Sequence, residues 1–238
     1  MLRIRSLIFV LLVAIGNPSR TAAQSEPAPI YALQADGTWV EYTWQATDHY
    51  HEEQTGLLRI SSVGRKEVKD AACRWIEIRL ETRDGDKLTR RLRKFLVAPR
   101  AFTRGQSFED HVLEGFAQSA PKDGVIRLPT KRLYDFLNLG LNAQTLTEVQ
   151  KQAEVKTPLG SFRSRHLSAA GSRGPRTLAY DAWLTDDVPF GWCQIEVHEQ
   201  RGAGPALLVF RATASRNGRD AKSELDETKA TGAAPRSH

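Results

Sequence analysis

The sequence is poor in the residues that build metal sites and disulfide frameworks. It contains only two cysteines, Cys73 and Cys193, in 238 residues. Two cysteines are too few to form a structural zinc site by themselves. In an oxidising compartment they could form one disulfide, or they could be two buried small side chains on separate strands. The sequence alone leaves both arrangements open.

Motifs for nucleophilic catalysis and for phosphate binding are also missing. The chain has no Gly-x-Ser-x-Gly elbow and no phosphate-binding glycine loop. Acidic pairs such as Asp186–Asp187 are present, but neighbours on a strand face opposite ways and cannot act together on one substrate. We therefore predict a protein that is not an enzyme and that uses no cofactor.

The apolar run near the N-terminus is too short to anchor the chain in a membrane. Leu7–Ile15 has nine residues, whereas a membrane-spanning helix needs about 20. Arg3 and Arg5 precede the run, and Thr21–Ala23 supplies small residues at a cleavage site. This order is typical of a secretory signal peptide. We predict cleavage after Ala23, export to the periplasm or beyond, and no transmembrane segment in the mature chain.

Removal of residues 1–23 halves the net charge. The full chain has 34 Lys and Arg against 28 Asp and Glu, a net charge of +6. Arg3, Arg5 and Arg20 leave with the leader and no acidic residue does, so the balance falls to +3. Such a small excess does not favour a nucleic-acid partner.

Composition predicts one folded unit with two irregular ends. Residues 24–36 are polar and proline-rich and predict a flexible lead-in, whereas residues 226–238 are small, charged and free of aromatics and predict a disordered tail. Residues 37–225 are enough for a single domain with a sizeable core.

Strict alternation of apolar and polar residues predicts an antiparallel sheet. The segment Thr38–Thr47 places Val40, Tyr42 and Trp44 on one face. The segment Cys73–Arg83 places Ile76, Ile78 and Leu80 on one face. The turn Asp84–Asp86 joins the second of these strands to Lys87–Val97. Further strands are predicted at Leu57–Val63, Thr145–Lys156, Phe162–Ala169, Arg176–Leu184, Gly191–Glu199 and Ala206–Ala214.

Two short helices are predicted in the middle of the chain. Ser107 can cap a helix to about Gln118, in which Phe108, Val112 and Phe116 share one face at helical spacing. A second helix is predicted from Thr130 to about Leu139, where the apolar residues are Leu133, Phe136 and Leu137.

Three short phrases resemble the bacterial lipoprotein-carrier superfamily, which includes LolA and LolB. They are Thr157–Phe162, Ala182–Gly191 and Cys73–Glu77. The resemblance implies a mainly β (α+β) fold, in which a strongly curved antiparallel sheet forms a half-open barrel with short helices on its concave side. It also implies that an apolar ligand lies between sheet and helices.

A set of apolar residues would line such a ligand site. The strands and helices would contribute Val40, Tyr42, Trp44, Ile76, Ile78, Leu80, Leu92, Leu96, Phe108, Val112, Phe116, Leu133, Phe136 and Leu137. We predict an exported, non-enzymatic protein that holds a lipid or other apolar ligand there. The alternative is a filled core in an envelope protein that works by contact with a protein partner.

The basic run Arg90–Lys94 has two interpretations. On a strand, Arg91 and Arg93 share one face, and Arg90 and Lys94 share the other. The run could contact anionic lipid headgroups or an acidic partner. Alternatively, its cations pair across the hairpin with Glu77 and Glu81, which is the interpretation we adopt.

His49 and His51 form the most metal-like cluster, because they point to the same side of an extended segment that also contains acidic residues. They fall where a hairpin loop is predicted, and polar residues are expected there. We predict no metal site.

Overall fold

One antiparallel sheet contains all eleven strands of the described part of the chain. The computed structural model describes residues 33–47, 53–102, 111–120, 122–128, 147–173 and 176–231. The strands lie in the order β6-β5-β4-β3-β2-β1-β11-β10-β9-β8-β7. Their bounds are β1 (Trp39–Thr47), β2 (Glu53–Val68), β3 (Ala71–Asp84), β4 (Lys87–Val97), β5 (Val112–Gln118), β6 (Ile126–Arg127), β7 (Thr147–Thr157), β8 (Gly160–Arg173), β9 (Arg176–Leu184), β10 (Trp192–Arg201) and β11 (Leu207–Gly218).

The first and last strands join two meanders. Strands β1 to β6 follow one another across one half of the sheet, and β7 to β11 follow one another across the other half. Strand β1 pairs with β11 from Trp39–Gly218 to Ala46–Phe210, so sheet pairing connects the halves directly. All nine strands expected from alternation are present, so the mainly β antiparallel fold is confirmed.

The predicted helix from Ser107 to Gln118 is wrong for residues 112–118, which form β5. The spacing of Val112 and Phe116 fits a helix, but in β5 these two side chains lie on opposite faces because the strand is irregular between them. Gly115 disfavours a helix, and β5 pairs with β4 from Leu92–Gln118 to Val97–Val112. Phe108 and the second predicted helix, with Leu133, Phe136 and Leu137, lie outside the described residues.

The sheet is curled at its β7 end but is not closed. Its two edges are β6 and β7. Strands in a flat sheet lie about 4.8 Å apart, which would put β7 about 14 Å from β10. Cα atoms of β7 nevertheless come within 8 Å of Cα atoms in β10 and in β11. Val155 of β7 belongs to the same core cluster as Ile195 of β10 and Ala212 of β11, so the apolar face lies inside the curl.

We call the face with Val40, Tyr42, Ile76 and Ile78 the inner face and the opposite one the outer face. The main core cluster includes inner-face residues of both meanders. A second group on the outer face, which we call the outer cluster, buries Cys73, Trp75, Leu92, Leu96, Phe116, Val125 and Leu225. Both faces of the β3–β5 region are therefore covered.

Leu225 reaches the outer cluster because residues 219–231, the C-terminal segment, run across the outer face. Ala221 donates its backbone N–H to the Gly37 carbonyl, and Thr231 donates its own to the Val125 carbonyl. A single 3₁₀ turn, Glu227–Lys229, is capped by Asp226. Residues 226–231 of the predicted tail thus pack on the sheet.

No helix within the described ranges combines the length and the apolar character needed to cross a membrane.

The two cysteines are free and lie on opposite faces. Cys73 of β3 belongs to the outer cluster, and Cys193 of β10 belongs to the inner core. Burial raises the pKa of both thiols, that of Cys193 to about 11. Of the two arrangements that the sequence leaves open, the structure has two separate buried cysteines and no disulfide between them.

We expect a thiol reagent to react with no cysteine of the native protein at pH 8 and with two cysteines in denaturant. Buried thiols with raised pKa values carry little of the thiolate that reacts, and unfolding exposes both. Titration of thiols without reductant, with and without denaturant, checks this. An oxidised protein that yields no thiol after unfolding would contradict the separation of Cys73 from Cys193.

Candidate functional site

The inner face gathers seven of the residues predicted to line a ligand site. Val40, Tyr42 and Trp44 of β1 and Ile76, Ile78 and Leu80 of β3 point to it, with β2 between them. Val112 of β5 also packs in this cluster. Alternation on paired strands is enough to bring these side chains to one face.

Three other predicted residues lie on the opposite face. Leu92 and Leu96 pair in register with Arg79 and Trp75, and they pack in the outer cluster. Phe116 pairs with Lys94 on that same face. Leu96 of β4 pairs with Glu114 and Val97 with Val112, so β5 has one extra residue at this point. An extra residue in a strand reverses the side that later residues face, and Val112 and Phe116 therefore lie on opposite faces.

The second meander supplies aromatic side chains that the predicted set did not include. Tyr180, Trp192 and Phe210 belong to or pack against the inner core, as does Phe190 from the turn between β9 and β10. Alternation in the predicted strands could have identified Tyr180 and Phe210. Phe190 has a φ of 65°, so its inward position depends on a turn geometry that is uncommon for a non-glycine residue.

One end of the inner face is closed. It is the end where β1 begins, and there Val40, Ile76 and Phe190 have no exposed surface. The Tyr42 hydroxyl donates a hydrogen bond of 3.1 Å to the Trp192 carbonyl, which ties β1 to β10. Burial raises the pKa of Tyr42 above its ordinary value, so this hydroxyl remains a donor at neutral pH.

The other end is less completely covered, and we call it the open end. Ala46, Leu80, Leu178 and Phe210 are partly buried apolar residues there, near the ends of β1 and β3 and the starts of β9 and β11. Burial of the inner face therefore decreases from the start of β1 toward its end.

Trp44 is the central residue of the open end. Its ring stacks on Phe210 with centroids 6.3 Å apart, and its side chain is largely buried. Its Nε1 has no hydrogen-bond partner in the described part of the chain. A buried donor without an acceptor costs about 1–3 kcal/mol, so an acceptor placed here would gain that energy.

Gly56 makes the position of Trp44 possible. Gly56 pairs with Trp44 across β1 and β2. A Cβ atom on Gly56 would lie 2.8 Å from two atoms of the indole and would collide with the Glu81 carbonyl oxygen. The indole therefore lies directly over the glycine backbone.

Two arginines interrupt the apolar character of the inner face. Arg91 pairs with Leu80 and Arg93 with Ile78. Burial, with a smaller effect from Arg91, lowers the pKa of Arg93 to about 10, so it is still charged at neutral pH. Arg91 and Arg93 thus share one face, as predicted, and that face is the inner one.

The other cations of the basic run face outward, as predicted from pairing across the hairpin. Lys94 pairs in register with Glu77 and Arg90 with Glu81. The Arg90 Nε lies 3.9 Å from a Glu81 oxygen. Lys94 has only 3% of its surface exposed.

The surface also carries two clefts. One, of about 460 Å³, is lined by Trp44 and Gly56 and also by Thr43, Leu57 and Arg211, which face outward on adjacent strands. The other, of about 490 Å³, includes Arg163 and Asp186. Among the residues predicted for an apolar ligand, Trp44 lines the first cleft and none lines the second.

Two of the described histidines make polar contacts. His166 Nε2 lies 2.7 Å from Asp181 Oδ1, and its ring stacks on Trp183 with centroids 4.6 Å apart. His198 contacts Glu196 at 3.2 Å. No group of three His, Cys, Asp or Glu that could hold a metal is found within the described ranges. His49 and His51 lie outside them.

Comparison with known proteins gives only distant structural neighbours. No protein-family model matches the sequence, and no curated protein does. A Bacteroides fragilis chain, described only as an exported protein with a YmcC-like fold, is 10% identical with a TM-score of 0.39, covering 83% of this chain and 100% of that chain. A Parabacteroides distasonis chain, described only as a lipoprotein, is 10% identical with a TM-score of 0.38, covering 81% and 100%. Similarity at this level does not assign the chain to a family.

We expect Gly56→Ala to lower the free energy of unfolding by about 1–3 kcal/mol, because the new methyl group overpacks the indole of Trp44 and the Glu81 carbonyl. Gly171→Ala is the matched control, since it is also in a strand and a Cβ there meets nothing within 4 Å. Urea unfolding of both variants measures the difference. Equal stabilities would show that Trp44 does not lie over Gly56.

Proposed function

We propose that this chain is an exported, non-enzymatic protein that binds an apolar molecule, such as a lipid, at the open end of its inner face. The observation that carries the proposal is the buried Trp44 Nε1, which lacks an acceptor among the described residues. It lies in a face where Leu80, Leu178 and Phe210 are only partly covered. A ligand there would bury this apolar surface and accept the free hydrogen bond.

The charges of the inner face favour an amphiphile with an anionic group. Arg91 and Arg93 lie two residues apart on β4, on the same face as Leu80 and Ile78. The positive charge of these two side chains would attract a carboxylate or phosphate group of a ligand. The ligand would therefore place its anionic group between Trp44 Nε1 and β4, and its apolar part against Leu178 and Phe210.

The N-terminal sequence supports an envelope location for this activity. Residues 1–23 have the charge, apolar run and small residues of a secretory signal peptide. An exported binding protein would meet lipids at the membrane surface or in transit between membranes.

A second candidate function is that of an envelope structural protein with a filled core and no ligand. The observation that favours it is the closed end, where Val40, Tyr42 and Ile76 are at most 1% exposed. A cavity large enough for a water molecule beside these side chains would give them exposed surface, and they have almost none. If the open end is also filled in solution, the protein would act through its outer surface.

A fluorescent fatty-acid probe distinguishes the two candidates. We expect the probe to bind the wild-type protein, and the neutral methyl ester of the same acid to bind more weakly because it loses the attraction of Arg91 and Arg93. We expect Leu80→Lys to lower the affinity about tenfold or more, since it puts a charge into the apolar site. The measurement is a fluorescence titration of each protein.

Val149→Lys is the control for this titration. Val149 is on the edge strand β7, is 61% exposed and lines neither cleft, so the probe affinity is expected to stay unchanged. A wild-type protein that binds no probe and carries no lipid from its host by native mass spectrometry would favour the filled core. Equal affinities of folded Leu80→Lys and wild type would remove the open end as the site.

A further inference from the structure

The C-terminal segment lies in an outer-face groove that binds its main chain specifically. Glu77 of β3 accepts hydrogen bonds from the backbone N–H groups of Glu224 and Leu225, at 3.1 and 3.0 Å, and from the Ser223 hydroxyl at 3.0 Å. A carboxylate that accepts consecutive N–H groups holds an extended peptide in one register. Glu77 is only 3% exposed, so these bonds are shielded from water.

Lys94 completes this main-chain contact from the neighbouring strand. Its Nζ donates to the Leu225 carbonyl at 3.2 Å and to the Ser223 hydroxyl at 2.8 Å, and it also pairs with Glu227. Glu77 thus binds the donors of the segment and Lys94 binds an acceptor. Because these two residues are cross-strand partners, the sheet itself sets the distance between them.

Two arginines select an acidic side chain next to the main-chain contact. Arg79 Nη1 lies 2.9 Å from Glu224 Oε1, and Arg90 pairs with the other oxygen of Glu224. Arg79 is held in turn by Glu41 and Glu81. The position before Leu225 is therefore selective for a carboxylate.

A third element of the groove selects an apolar side chain. Leu225 is 1% exposed and packs in the outer cluster with Trp75, Leu92 and Phe116. The segment thus presents a hydroxyl, an acidic and a leucine side chain at 223, 224 and 225, and the groove has a matching contact for each of them.

The segment is separable from the sheet that it covers. Every strand from β1 to β11 is paired without it, and the segment itself contributes no strand. It lies after the last strand, where displacement would require no rearrangement of the ladder. The groove therefore has the features of a peptide-binding site that is occupied by the chain's own segment.

We propose that this groove is a site for an extended segment of a partner protein with the pattern hydroxyl, acidic, leucine, which binds by displacing the C-terminal segment. Main-chain contacts provide affinity and the side-chain contacts provide selectivity, as in other modes of extended-peptide recognition. Arg79 and Arg90 would bind the acidic side chain of the partner as they now bind Glu224. The tethered segment competes at an effective concentration of the order of millimolar, so a partner binds only where it is presented locally or where the segment is weakened.

A labelled peptide of residues 219–231 tests the proposal on the full-length protein. Wild-type protein is expected to bind it weakly, because its own segment occupies the groove. Leu225→Asp weakens that segment and is expected to raise the affinity for the wild-type peptide about tenfold or more. Glu224→Lys is a second, milder variant with the same expected effect, which serves if Leu225→Asp does not fold. Fluorescence anisotropy measures the binding, and circular dichroism reports the fold.

Specificity controls separate this site from nonspecific adhesion. A peptide carrying Leu225→Asp is expected not to bind either variant. Adding Arg90→Glu to the Leu225→Asp protein is expected to abolish binding of the wild-type peptide and to permit binding of a Glu224→Lys peptide. Folded variants that bind the wild-type peptide no better than wild-type protein would overturn the proposal, as would equal binding of the Leu225→Asp peptide. A finding that wild-type protein forms dimers, in which the two copies exchange their C-terminal segments, would identify a second copy of this chain as the occupant of the groove. That result would overturn the proposal of a separate partner protein.

Discussion

The alternation of side chains along each strand is the constraint on which both surfaces of this protein depend. In β3, Ile76 and Ile78 point to the inner face, whereas Glu77 between them points outward and binds the C-terminal segment. A slip of one residue in the pairing of β3 with β4 would place Glu77 in the apolar core and the isoleucines outside. The register Glu77–Lys94 therefore determines the inner core and the outer groove at the same time.

The two faces bury polar groups in different ways. On the outer face, Glu77 is buried but satisfied by backbone N–H groups and by Ser223. Burial still raises its pKa above the ordinary value, although these hydrogen bonds and Lys94 oppose the effect. On the inner face, Trp44 Nε1 has no such partner among the described residues.

Much of the fold could be predicted from the sequence, because alternation is a local property. The facing of Val40, Tyr42 and Trp44, and the pairing of Arg90 and Lys94 across the hairpin, follow from a period of two. The strand at Val112–Gln118 could not be recognised, since the spacing of Val112 and Phe116 fits a helix and only an irregularity in the strand puts them on opposite faces. Leu92 and Leu96 share the outer face with Arg90 and Lys94 by the same period of two. Their burial there depends on tertiary structure, because the C-terminal segment covers them and no local signal distinguishes two buried faces from one.

Binding of a ligand at the open end of the inner face would change the surroundings of the Trp44 indole N–H more directly than those of any other group. The indole signals of the protein can be resolved by nuclear magnetic resonance and assigned with Trp44→Phe. On addition of a fatty acid, we expect the chemical shift of the Trp44 indole N–H to change because this N–H gains an acceptor. The chemical shift of the Trp75 indole N–H, in the outer cluster, is expected to stay unchanged. An unchanged Trp44 signal at saturating ligand would contradict binding at the open end.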